Sequence, residues 1–372
     1  MSKRYLIIGG AGFIGSHLAD ELLQHGHEVR IYDSLVPQVH GDGGAWPAYL
    51  AGAVEAWSGD VRDADTLAPA LRDVDGVFHL AARVGVGQSM YEIADYVAAN
   101  ELGTAALLQL LSQQPVDRLV VASSMSIYGE GLCRDEDGGL VAPALRSASQ
   151  LREQQWELID ERGRPLEPVP TPEDKTPDLA SIYALSKYGQ ERMCLMVGQA
   201  YGITTTALRL FNVFGSRQAL SNPYTGVLAI FAARLMNGRR PLVFEDGLQR
   251  RDFVHVKDVA RAFHLAMVAS GTGHQVFNIG SGRAYPVLYV ARLLAAAVGR
   301  PDLSPEIAGK YRSGDIRHCF ADIGRARDAL GFTPLHPLET NLAELVDWLA
   351  GQEAEDRVSQ ATAELEARGL VA

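Results

Sequence analysis

Apolar residues in this chain fall into two spacings: short unbroken runs, and stripes that recur every three or four positions. Arg4 to Gly9 is a run of strand length, Phe13 to His25 carries a helical stripe, and Glu28 to Asp33 reads as a second strand. Val74–Leu80, Leu119–Ser123 and Thr204–Phe211 continue the series of strands, and Tyr91–Leu111 and Tyr183–Tyr201 carry helical patterns between them. Runs apolar throughout belong to strands covered on both faces, so the alternation predicts an α/β fold with a doubly wound parallel sheet. Near Asn212 the pattern changes to loops, a helix around Tyr224–Asn237, a strand-like Pro241–Glu245 and several shorter elements. This predicts a large domain over 1–211 and a smaller C-terminal α/β substrate lobe over 212–372, with segments near 251–279 returning to the large domain. The polar, acid- and proline-rich stretch at about 130–180 is too long for an ordinary loop and reads as an insertion. A mobile surface excursion is favoured there over a lid, with Trp156 having the most to gain by docking. The tail, Leu338 to Leu370, reads as a solvated amphipathic helix.

Composition narrows the function. The 372 residues are 47% hydrophobic, ample for a substantial core. Lys and Arg total 34 against 45 Asp and Glu, a net charge of −11, which argues against nucleic-acid binding and leaves any anion site to a few placed arginines. The cysteines, Cys133, Cys194 and Cys319, have no spacing suited to zinc or a disulfide framework, and no set of metal ligands is apparent, so no metal is expected. Lone histidines such as His255 and His318 read as structural. The N-terminus lacks the apolar segment of a signal peptide and no run could span a bilayer, so a soluble, cytoplasmic protein with no membrane partner is expected.

The chemistry lies at three points. Gly9-Gly-Ala-Gly12-Phe13-Ile14-Gly15 sits between the first strand and the first helix, where glycines let a pyrophosphate approach the backbone and the helix N-terminal amides. That makes the sheet Rossmann-type. Asp33, followed by Ser34, ends the second strand, where a carboxylate accepts ribose hydroxyls and repels a 2′-phosphate, which favours NAD over NADP. Tyr183 and Lys187 are one helical turn apart, so an ammonium can favour the phenolate of a group that ordinarily titrates near ~10, and such a tyrosine can move a hydroxyl proton. Ser123-Ser124 precedes them.

These residues occur with Gly59-Asp60-Val61, His79-Leu80-Ala81-Ala82, Asn100, Ser123-Ser-Met-Ser-Ile-Tyr-Gly129, Arg209-Leu-Phe-Asn212-Val-Phe-Gly215, Arg251-Asp-Phe-Val-His-Val256 and Arg312-Ser-Gly-Asp315. In this order they resemble the extended short-chain dehydrogenase/reductases of the nucleotide-sugar epimerase/dehydratase family over nearly the whole chain. The resemblance implies that Asp60 and Val61 border adenine, that Leu80, Ala81, Ala82 and Asn100 line the cofactor, and that Lys187 also holds the nicotinamide ribose. Ser124 takes the place of the family's catalytic Ser or Thr beside Tyr183. Asn212, Arg251 and Arg312 are expected at the diphosphate of a nucleotide-diphosphate sugar, with Asp315 at Arg312 or a ribose and Ser126 at the sugar.

One departure sharpens the reading. Dehydratases of the family have Thr-Asp-Glu where this chain has Ser124-Met125-Ser126, and Met125 can neither give nor take a proton. The expected chemistry is therefore epimerisation with NAD through a transient 4-keto sugar, using Ser124, Tyr183 and Lys187. Family members pair through the two long helices corresponding here to Tyr91–Leu111 and Tyr183–Tyr201, so a homodimer is expected.

Overall fold

The computed structural model describes residues 2–219, 226–312, 314–351 and 358–371. Its central sheet has seven strands: β1 (Arg4–Ile8), β2 (Glu28–Asp33), β3 (Glu55–Ser58), β4 (Gly76–His79), β5 (Arg118–Ser124), β6 (Thr204–Leu210) and β7 (Gln275–Ile279). They lie in the order β7-β6-β5-β4-β1-β2-β3, every pair parallel. The order reverses between β1 and β4, whose ends align Ile8 with His79, and the loops leaving them part to open a crevice at the carboxyl end of the sheet. The apolar runs identified five of these strands and the expected return of the 251–279 stretch supplies β7, whereas the exposed Glu55 and Ala56 of β3 give an edge strand no such pattern.

The helices that matter are α1 (Phe13–Gln24), α2 (Gly103–Gln113), α3 (Ile182–Tyr201), α4 (Val227–Met236), α5 (Val256–Val268), α6 (Val287–Ala297), α7 (Leu338–Ala350) and α8 (Val358–Ala367). On one face of the sheet, Leu18 and Leu22 of α1 and Phe263 of α5 bury against Ile7, Phe78, Val120 and Phe277. On the other, Leu107 and Leu111 of α2 and Cys194 of α3 cover Leu6, Val77 and Leu119. The helix expected over Tyr91–Leu111 is broken: Ile93–Tyr96 is helical, Val97–Leu102 widens into a π-turn, and α2 follows. The expected helix around Tyr224–Asn237 is α4, with Tyr224 outside the described residues.

A second core joins Phe231 and Leu235 of α4, Val290 and Leu294 of α6, and Leu342 and Leu345 of α7 around Phe214 and Phe253. Two sequence expectations change here. The tail is no solvated helix: α7 buries Leu338, Leu342, Leu345 and Leu349, and beyond it Leu365 of α8 packs on Gly87 while Val371 bridges to Arg312. Nor is the 130–180 stretch a loose excursion. Cys133, Leu158 and Leu166 form a small core of their own, Thr171 donates its amide to the Phe320 carbonyl, and Trp156 lies 6.3 Å from Tyr311 between ring centroids. Its many charges misled because they are paired inward: Glu157 bonds both Arg317 and His318, which hold its carboxyl down at about 2.

A buried ion pair ties the layers together. Glu191 of α3 accepts from Arg209 of β6 at 2.7 and 2.9 Å and from the Ser123 hydroxyl of β5 at 2.6 Å. Arg209 also donates to the Tyr128 hydroxyl and the Glu173 carbonyl, and Tyr128 donates to Asn278 of β7. Removing one partner of such a pair leaves a buried charge uncompensated, so Glu191→Ala should lower stability by about 3–5 kcal/mol. Urea unfolding followed by circular dichroism checks this, and a loss below about 1 kcal/mol would contradict it.

Candidate active site

The loop after β1 is built by close contacts. Gly9 has φ +84, and a Cβ there would meet the Ala81 amide nitrogen at 2.8 Å, so the ends of β1 and β4 are pressed together. A Cβ on Gly15 would stand 2.3 Å from the Gly9 carbonyl oxygen. Gly12 differs: its φ is −70 and the nearest atom to a Cβ would be 3.5 Å away, so the protein itself does not demand glycine there. Gly12 is also the N-cap of α1, with no side chain capping the helix, so the first-turn amides around Phe13 and Ile14 face open space. An open glycine at an uncapped helix N-terminus fits a diphosphate.

Asp33 is buried, its Oδ2 accepting the Ala11 amide and its Oδ1 the Leu35 amide, both at 2.9 Å, while Ser34 is exposed. The carboxylate thus braces the glycine loop, and each oxygen keeps a lone pair for a ribose hydroxyl. Tyr49, which the sequence did not single out, donates its hydroxyl to the Ala11 carbonyl at 3.1 Å. Asp60 is clamped by Arg62, which lowers its pKa, and Val61 is buried under Gly103. Leu80, Ala81 and Ala82 follow β4 and are part-buried. Asn100, expected at the cofactor, holds the chain itself together. It is fully buried on the π-turn, its Oδ1 accepting the Arg83 amide at 2.7 Å and its Nδ2 donating to the Arg83 carbonyl and Ser186 Oγ. With every donor spent, Asn100 fixes the loop beyond Ala82 against α3.

Ser124 and Tyr183 meet. Ser124 ends β5, bonds Ser126 Oγ at 2.7 Å and comes near enough to Tyr183 to lower its pKa. Successive strand residues point to opposite faces, so Ser123 serves Glu191 while Ser124 serves Tyr183. Tyr183 stands in the first turn of α3, which Ser181 caps, its amide donates to Ser89 Oγ at 3.0 Å, and its ring packs edge-on against Tyr96. Lys187 does not lower the Tyr183 pKa as the sequence suggested. Burial raises that pKa, Ser124 draws it down, and Lys187 is not among the groups acting on it. Lys187 Nζ turns instead to Gln190 Oε1 at 2.7 Å, and burial brings its own pKa down to about 8. Gln190 is held by Thr104, His79 and the Ala81 carbonyl, a cluster of buried polar groups that positions the ammonium at the end of β4. Gln190 was legible only as a residue three positions beyond Lys187; His79 and Thr104 come from other elements.

The substrate residues divide. Among the described residues Asn212 Oδ1 and Arg312 Nε are buried without a hydrogen-bond partner, and the Arg312 guanidinium lies 4.6 Å over the Phe244 ring. Polar atoms left unpaired in a cleft suit a ligand that completes them. Arg251 is committed elsewhere: its fork holds the carbonyls of Ile316 and Arg317 and reaches Asp315 Oδ1 at 3.5 Å. Asp315 therefore orients Arg251, where the sequence paired it with Arg312. Arg146, which the sequence did not flag, enters from the insertion to bond the Asp315 carbonyl and Glu245. Ser126 is buried beside Ser124, while His318 and His255 serve structure, the one bonded to Glu157 and the other stacked on His336.

A glycine cradle, a serine–tyrosine pair at the strand ends and unpaired polar groups facing them define an oxidoreductive site of the Rossmann class. The sequence matches the NAD dependent epimerase/dehydratase family over residues 5–146 and 162–280, and the chain belongs to that family. It is an enzyme of the isomerase class and its cofactor is NAD. A dTDP-L-rhamnose 4-epimerase of Burkholderia thailandensis is 34% identical over 358 residues, 94% of this chain and 95% of that one. The UDP-glucose 4-epimerase of Thermotoga maritima, solved with UDP-glucose, superposes with a TM-score of 0.76 at 30% identity, covering 93% of this chain and 98% of that one. MoeE5, solved with UDP-glucuronic acid and NAD, gives 0.74 at 31% identity, covering 93% and 99%. The break between the two matched stretches, residues 147–161, falls within the insertion.

Gly12→Ala should fold with wild-type stability and lose NAD, because its methyl would enter the ligand's space and nothing else. Thermal melts and the absorbance of bound cofactor in the purified protein check this; full NAD occupancy would contradict it.

Proposed function

We propose that this chain is a nucleotide-sugar 4-epimerase that interconverts dTDP-L-rhamnose and dTDP-6-deoxy-L-talose in the cytoplasm. The observation that carries the chemistry is the approach of Ser124 at the end of β5 to Tyr183 in the first turn of α3, near enough to draw the tyrosine pKa down against its burial. Bound NAD supplies a hydride acceptor and donor there, held by the α1 amides at Gly12 to Ile14, by Asp33 and by Lys187. Tyr183 takes the proton of the sugar 4-hydroxyl, Ser124 bridges the two oxygens, and the Lys187 ammonium favours the phenolate once the site is filled. With the proton on Tyr183 and the C4 hydride taken up by the cofactor, the sugar would be a 4-ketone, and return of both to its opposite face would invert C4. The nucleotide and diphosphate must then be held firmly and the sugar loosely. Arg312 and Asn212, with polar atoms still unpaired, suit that firm hold.

Three segments support the deoxyhexose: Gln88–Glu92, Ser221–Val227 and Gly309–His318 most resemble bacterial dTDP-L-rhamnose 4-epimerases, and the 34% identical relative bears that name. Residues 221–225 lie outside the described residues. Met125, buried beside Ser124, leaves no acid for dehydration. Incubating the protein with dTDP-, UDP-, GDP- and CDP-sugars and resolving products by NMR tests the reading. The expected result is C4 inversion of dTDP-L-rhamnose without added cofactor and without net absorbance change at about 340 nm, abolished by Tyr183→Phe. Turnover of UDP-hexose or UDP-uronate instead would move the substrate, and stoichiometric consumption of added cofactor would make the enzyme a ketosugar reductase or dehydrogenase.

The same reading includes a homodimer. Val97 and Leu102 beside α2, and Leu185 and Met196 on α3, are large apolar side chains left exposed, Leu102 at 58% and Met196 at 55%. Such residues on two adjacent helices suit a four-helix contact between copies. Light scattering should give twice the chain mass and Leu102→Glu with Met196→Glu should halve it; a monomeric wild type would refute the pairing.

A further inference from the structure

Three of the ten histidines converge at the far end of α1, away from Gly12. Glu21 and His25 lie one turn apart on α1, and His264 faces them from α5. His25 Nδ1 stands 3.6 Å and His264 Nδ1 3.7 Å from the same Glu21 oxygen, and the ligand atoms of all three residues lie within 4.8 Å of one another. The His25 and His264 ring centroids are 4.1 Å apart, and His27 lies 5.6 Å from His264. Donors around one tetrahedral zinc at ~2.0–2.2 Å stand roughly 3.3–3.6 Å from each other. The two carboxylate–imidazole spacings are therefore already within a few tenths of an ångström of a coordination sphere, and the two imidazole donors lie within 4.8 Å of each other.

An ordinary ion pair does not account for the cluster. His264 is buried and offers Nδ1 to the same Glu21 oxygen that His25 approaches, so one carboxylate oxygen faces two imidazole nitrogens and is hydrogen-bonded to neither. Two imidazoles turned to one carboxylate are a donor set that ligates a metal. His25 is half exposed and gives an ion its way in. Its Nδ1 now bonds the Glu21 carbonyl at 2.9 Å, yet that carbonyl also accepts the His25 amide at 3.2 Å, so turning the ring to a metal orphans nothing.

We propose that Glu21, His25 and His264 form a binding site for a divalent transition-metal ion of the zinc class, completed by solvent. Two imidazoles and a carboxylate suit zinc, copper or nickel over magnesium or calcium. The ion would staple α1 to α5. One helix starts at the cofactor loop and the other directly after the Arg251–His255 segment, so the staple is structural and sits outside the chemistry. The sequence gave no hint of it, because His264 is remote from the Glu21–His25 pair along the chain.

Calorimetric titration of tag-free protein with zinc chloride, stripped first with chelator, tests the site. One ion per chain is expected, with affinity falling at least tenfold in each of His25→Ala, Glu21→Gln and His264→Ala. Saturating zinc should raise the wild-type melting temperature by about 2 °C or more and leave that of His25→Ala unchanged. His25 and Glu21 are the decisive positions because neither is in the core, so their variants fold even if His264→Ala does not. Absence of zinc binding in wild type, or equal binding and equal thermal shift in His25→Ala and Glu21→Gln, would overturn the proposal.

Discussion

The pair of Glu191 and Arg209 is the constraint on which the site rests. A carboxylate and a guanidinium cannot stay buried unless each finds the other and satisfies its remaining hydrogen bonds. Here the solution requires Ser123 from β5, Tyr128 from the turn beyond it and the Glu173 carbonyl from the insertion. The register of α3 on β5 follows, and with it the meeting of Tyr183 and Ser124. A sliding of α3 by one residue would break the ion pair and part the two hydroxyls together.

The second organising feature is the treatment of Lys187. Burial alone would discharge the amine, and a neutral Lys187 would offer nothing to a phenolate. Gln190 gives it an acceptor, Glu191 favours its charged form, and the result is a cation held near its neutral point inside the protein. His79 beside it is driven to about 3 and stays neutral, so it adds no competing charge. The cysteines add none either, since burial pushes the thiols of Cys133, Cys194 and Cys319 up to about 12.

Much of this was legible from one dimension. Unbroken apolar runs revealed five of the seven central strands, β7 fell in the stretch near 251–279 expected to return to the large domain, and glycines at 9, 12 and 15 marked the turn because a strand and a helix flank them. The serine and the tyrosine stood out together because both sit at element ends. What escaped had a common physical cause: the partners were brought together by tertiary packing and left no local spacing. The bond of Asn100 to the Arg83 amide across the π-turn, and those of Arg251 to the Ile316 and Arg317 carbonyls, join residues far apart in sequence. The charges of the insertion looked solvated because nothing local shows that Arg317 stands fully buried opposite Glu157, Glu245 and Asp246.

The end of the chain is engaged with both halves of the molecule. Glu364 meets Tyr91, Arg368 lies 4.2 Å over the same ring, Glu366 pairs with Lys310, and Val371 bridges to Arg312. Tyr91 belongs to the stretch whose Ser89 receives the Tyr183 amide, and Arg312 carries the unpaired Nε. An affinity handle fused to the carboxyl end would therefore press on the nucleotide-facing loop, whereas one at the amino end would emerge beside β1, behind the sheet's working edge.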